Sequence, residues 1–73
     1  MKKGDRVWVT KIICEEGQDR ELMIRLINER LGEEGEITAV YSGSEQPYTV
    51  EFENDSGKSG KDEFLLEELE AIA

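Results

Sequence analysis

Tyr48-Thr49-Val50-Glu51-Phe52-Glu53 is the stretch that decides the fold. Apolar and polar side chains alternate there, and successive side chains of an extended strand point to opposite faces. Tyr48, Val50 and Phe52 are therefore expected on a core, with Thr49, Glu51 and Glu53 facing out. The β-branched and aromatic content fits the same reading. Upstream, residues 42–47 (Ser-Gly-Ser-Glu-Gln-Pro) have the composition of a loop. Before it, residues 36–41 read as another strand, with Ile37, Ala39 and Tyr41 on one side and Thr38 and Val40 on the other. Downstream, residues 54–60 form a polar loop containing Gly57 and Gly60. Residues 62–69 then give a short strand or a helical turn, and residues 69–72 a closing edge strand.

The beginning of the chain carries the same signal. Gly4-Asp5 is a turn, and the alternation that follows predicts a strand running toward Ile13. Val7 and Val9 fall on its core face, and Trp8 and Ile12 on the other. Residues 15–18 (Glu-Glu-Gly-Gln) interrupt it. Asp19 then suits an N-cap, and Leu22, Met23, Leu26, Ile27 and Leu31 recur at helical spacing up to Gly32. The pattern predicts a helix over 19–31; a strand over 22–27 is the competing reading.

Seventy-three residues allow one domain and one small core. The economical architecture is mainly β: four to five short strands rolled into a tight barrel, with one helix inserted between the first and second strands. The helix is expected to lay its apolar stripe on the outer face, over Trp8 and Ile12, or across an open barrel end.

Gly4-Asp5-Arg6-Val7-Trp8-Val9-Thr10 resembles the opening strand of SH3-like barrels. Gly35-Glu36-Ile37-Thr38-Ala39-Val40 resembles their Gly-x-Ile/Val second strand, and Tyr48-Thr49-Val50-Glu51-Phe52 their third. The stretch from Phe64 to Ile72 resembles their closing turn and strand. The nearest likeness is to the electron-transport accessory group: the variable chain of ferredoxin–thioredoxin reductase, the E subunit of photosystem I and the barrel of the nitrile hydratase beta chain. The resemblance spans most of the chain outside 14–34. It implies an SH3-like barrel and a non-catalytic accessory subunit that docks or stabilises a redox or metabolic enzyme. It carries over no catalytic or cofactor residue.

Composition narrows the function classes. The chain holds 9 basic and 18 acidic residues, a formal charge of −9. That balance opposes direct binding to nucleic acid and to anionic membrane surfaces, and favours a protein partner with a basic surface. With no histidine, Ser-His, Cys-His and His-metal chemistry have no base or ligand in this chain. A single cysteine closes no internal disulfide, and Cys14, followed by Glu15 and Glu16, lacks the cationic neighbour that activates a thiol. No apolar segment follows Lys2 and Lys3, so a cytoplasmic protein is expected. Gly57-Lys58-Ser59 fails the phosphate-loop pattern because Phe52 stands where its first glycine belongs. Glu51, Glu53 and Asp55, or Glu33, Glu34 and Glu36, are carboxylate groups near one another in sequence but in no calcium-loop spacing, and solvated acids are expected there. No catalytic group, cofactor or metal is expected.

Trp8, Ile12, Met23, Arg25, Tyr41, Glu51 and Glu53 are the candidate partner contacts. Trp8 is read in two ways, as an interface anchor or as a residue covered by the helix. Function is likewise read in two ways. One is a non-catalytic interaction or accessory subunit. The other is an acidic inhibitor that imitates nucleic acid against a nuclease or a DNA-binding complex.

Overall fold

A computed structural model describes residues 1–14, 17–53 and 59–72 of the chain. Five antiparallel strands form one sheet, with one α-helix and one 3₁₀ turn: β1 (Arg6–Val9), α1 (Arg20–Glu29), β2 (Glu34–Val40), β3 (Tyr48–Phe52), β4 (Gly60–Phe64), the turn Leu66–Glu68, and β5 (Leu69–Ala71). The strand order is β4-β3-β2-β1-β5, so the last strand returns to the far side of the first. All four pairings are antiparallel.

The core is small and lies on one face of the sheet. Val7, Val9, Ile37, Val50, Phe52, Phe64 and Leu69 supply it, and Met23 and Leu26 of α1 cover it. Phe52 and Phe64 meet edge to face, with ring centroids 5.9 Å apart, an arrangement that aligns the ring quadrupoles favourably. The alternation read in residues 48–53 is therefore present, with Val50 and Phe52 fully buried and Tyr48 packed at the core's margin.

Several expectations are corrected. β1 is shorter than read and ends at Val9, with Thr10 N–H donating to the Glu68 carbonyl at 2.9 Å and Gly32 N–H to the Val9 carbonyl at 2.8 Å at its end. Ile12 consequently packs against the core and does not share a face with Trp8. The helix is shorter than 19–31, and it lies on the core side of the sheet; Trp8 stays 42% exposed, uncovered by it. Asp19 does cap α1, its Oδ1 accepting from Glu21 N–H at 2.9 Å and Leu22 N–H at 3.4 Å. β2 bulges between Ile37 and Ala39, where Thr38 is the residue without a cross-strand partner, so Tyr41 falls beyond the strand and is exposed. Of residues 62–69, read as a short strand or a helical turn, the first part belongs to β4, which begins at Gly60 inside the expected loop, and Leu66–Glu68 form the 3₁₀ turn. The readings placed on Asn54, Asp55, Gly57 and Lys58 lie outside the described residues.

Candidate docking surface on the outer sheet face

The face opposite the core is built by the residues that alternate with it. Cross-strand register lines them up in rows. Glu70, Trp8 and Glu34 form one row across β5, β1 and β2. Arg6, Glu36, Glu51 and Lys61 form the next, across β1, β2, β3 and β4. Thr49 and Glu63 pair beyond it. Trp8 thus has a carboxylate-bearing neighbour on each side. Glu36 and Glu51 stand directly opposite one another, a like-charge pairing that weakens a sheet.

Cations answer only part of this charge. Arg6 forms an ion pair with Glu34, and the Lys61 Nζ lies 3.9 Å from Glu51 Oε2. Both pairs are solvent-exposed and worth little to stability. Arg6, Glu36, Thr38, Glu51 and Glu53 line a shallow depression of about 110 Å³. Its shape and acidity suit a cationic side chain of a partner better than an apolar one. Among the described residues, no group of three or more His, Cys, Asp or Glu side chains is arranged to hold a metal ion, and no helix is long and apolar enough to cross a membrane.

The seven candidate contacts do not form one surface. Trp8, Glu51 and Glu53 belong to the outer face. Met23 is a core residue. Ile12 packs against the core from the segment after β1. Tyr41 is 61% exposed at the end of β2, with its N–H donating to the Pro47 carbonyl at 2.8 Å. Arg25 projects from α1 toward β4, where it donates to Asp62 Oδ1 at 2.7 Å and to Glu29 at 3.0 Å. The hydrogen bond to Asp62 first, and that to Glu29 second, hold its pKa above the ordinary arginine value.

Beside it lies a buried polar cluster that sequence reasoning missed. Arg30, 4% exposed, donates from Nε to Asp62 Oδ2 at 2.7 Å, and its guanidinium stacks over the Phe52 ring at 4.4 Å. Glu70 and Glu34 were also missed as neighbours of Trp8. Glu70 follows the buried Leu69 by one position, and that alternation is the signal that places it outward. Compared with known proteins, the chain matches no family model, no curated protein and no solved structure.

Proposed function

We propose that this chain is a non-catalytic interaction module of SH3-like architecture that docks a basic surface of another protein, as an accessory subunit of a redox or metabolic enzyme. One observation carries the reading: a half-exposed tryptophan set by register between Glu34 and Glu70, beside the opposed Glu36 and Glu51. Tryptophan at the centre of a charged, complementary patch is a common binding anchor. The barrel assignment is supported by the wiring of the sheet, a meander of β1 to β4 whose fifth strand returns through a 3₁₀ turn to lie beside the first. A cytoplasmic location accords with the acidic, histidine-free composition.

The opposed glutamates also favour a second reading, an acidic mimic of a phosphate backbone. Both readings place contact on the outer face and differ in the partner. The test is native mass spectrometry of the purified complex, followed by competition with duplex DNA. An enzyme partner that releases the chain after Trp8→Ala, and ignores DNA, supports the accessory reading. Displacement by DNA supports mimicry. Turnover by the isolated chain, or a complex that survives Trp8→Ala together with Glu51→Gln and Glu53→Gln, overturns both.

A further inference from the structure

The stretch between β1 and β2 leaves the sheet and returns to it at one point. Val9 N–H donates to the Glu33 carbonyl at 3.0 Å and Gly32 N–H to the Val9 carbonyl at 2.8 Å, which carries the β1–β2 ladder to its end. Thr10 N–H, bonded to the Glu68 carbonyl at 2.9 Å, does the same for β1 and β5. All four strand pairings lie outside Ile12, Ile13 and α1. The hold of these residues on the sheet is thin. Of the ten residues of α1, Met23 and Leu26 are buried, whereas Leu22, Ile24 and Ile27 are each 40% exposed or more. Ile12 packs, partly buried, against the same core. Two carboxylates from the other end of the chain reach across to them. Glu68 Oε2 accepts from Ile13 N–H at 2.9 Å, and Asp62 of β4 binds Arg25 and Arg30 at 2.7 Å each.

We infer that Ile12, Ile13 and α1 form a flap that opens as one unit over an intact sheet, with Glu68 and Asp62 as its latches. Sub-global openings draw on segments with few buried apolar contacts, and α1 is such a segment. A helix of ten residues is too short to persist alone in water, so α1 melts once it leaves the core. Because the flap departs and returns on one hydrogen-bonded pair of residues, Val9 with its neighbours Gly32 and Glu33, its opening breaks no strand rung. It bares the core face of the sheet, which Met23 and Leu26 otherwise cover. Trp8 and the glutamate rows stand on the opposite face, so flap opening and outer-face docking are independent of each other.

Native-state hydrogen exchange of the whole chain in graded urea tests the flap. The amides of Ile13 and of Ile24 through Asn28 are expected to share one opening free energy. It is smaller than that of the β2 and β3 amides, with a shallower urea dependence, because less surface is exposed. Thr49→Gly weakens the sheet from its outer face, between β2 and β4 and away from α1. Its β2 and β3 amides should exchange about fivefold faster. The flap amides keep their wild-type rates in that variant, since the sheet is equally formed whether the flap is closed or open. Asp62→Asn should speed the flap amides about tenfold or more. Glu68→Ala removes a bond to Ile13, outside the helix, and should still speed the amides of α1. Flap amides that exchange only with global unfolding, or that speed up in Thr49→Gly as much as the β2 and β3 amides, overturn the inference. So do unrelated opening free energies for Ile13 and α1, or α1 amides unmoved by Glu68→Ala.

Discussion

Arg30 lies with its guanidinium carbon 4.4 Å from the centroid of the Phe52 ring, so a cation closes the core at the point where the third strand ends. Asp62 holds it there through a 2.7 Å bond to Nε, and binds Arg25 at the same time. Removing one member of a buried ion pair leaves an uncompensated charge, at a cost of several kcal/mol, whereas an apolar replacement of similar shape is far milder. Asp62→Ala is therefore expected to destabilise by about 3 kcal/mol. Arg30→Met should cost less, because Met preserves contact with Phe52 and Asp62 keeps Arg25. Urea denaturation followed by circular dichroism ranks the two; equal losses would show that packing alone matters here.

Arg25 supplies a pH prediction with a definite sign. Its folded pKa is raised, through Asp62 first and Glu29 second. A group raised on folding stabilises fully below its unfolded pKa, and that contribution is lost only as pH climbs through the folded value. For an arginine this window lies beyond the range in which proteins are ordinarily studied. The stability difference between wild type and Arg25→Gln is expected to stay constant between about pH 7 and pH 10. A difference that shrinks with rising pH in that interval would place the bridge on another group.

The places where the sequence was readable, and where it was not, follow from which side chains face the core. Residues 48–52 alternate cleanly because Val50 and Phe52 are buried and their neighbours are polar. β4 was legible only as a strand or a helical turn because its inward positions include Asp62, a carboxylate that satisfies two arginines and inverts the expected pattern. Ile12 and Ile13 extend the alternation of β1 in the sequence, but the strand ends at Val9, Ile12 packs against the core and Ile13 N–H is held by Glu68, so periodicity overran the strand. The bulge at Thr38 likewise moved Tyr41 off the face that strict alternation assigned it. On the outer face, Trp8 and Glu51 could be placed because each sits on a plain strand, and Glu53 continues the alternation one residue past β3. Arg30 could not, since no pattern in the sequence marks a buried arginine whose partners come from β3 and β4.

Gly35 is fixed by close approach. A methyl group on its Cα would stand 2.5 Å from Val50 Cγ1 and 2.8 Å from the Glu51 carbonyl oxygen. The first contact involves a fully buried side chain and the second involves backbone, so neither yields readily. Overpacking of this kind costs about 1–3 kcal/mol, and Gly35→Ala is expected near the upper end. Thermal unfolding measures it. Gly43→Ala, at a surface turn with φ +88°, strains the backbone without any steric contact and separates the two causes.

Glu68 ties the segment after β1 to the turn before β5. Its carboxylate accepts from Ile13 N–H at 2.9 Å and from Leu65 N–H at 2.8 Å, although the residue is only 3% exposed. Glu68→Ala leaves both amides without that acceptor, with an expected loss of about 2 kcal/mol. Glu68→Gln keeps one carbonyl oxygen and should lose about half as much. Hydrogen exchange at Ile13 and Leu65 is the sharper readout. Both amides should speed up in Glu68→Ala, and only one of them strongly in Glu68→Gln.

Glu36 and Glu51, opposed across β2 and β3, set stability against recognition. Directly opposed like charges disfavour a strand pair by about 0.2–1 kcal/mol, and the effect is screened by salt. Arg6 relieves little of it, since its ion pair is with Glu34. Glu36→Gln should therefore stabilise the chain by a few tenths of a kcal/mol at low salt, with the gain vanishing near 1 M salt. If the acidic row docks a basic partner, the same substitution weakens that complex, chiefly through a slower association rate that is most evident at low salt. Stopped-flow association beside urea denaturation measures both effects on one variant. A Glu36→Gln chain that is more stable and binds its partner as fast as wild type would remove the row from recognition, leaving Trp8 as the contact to pursue.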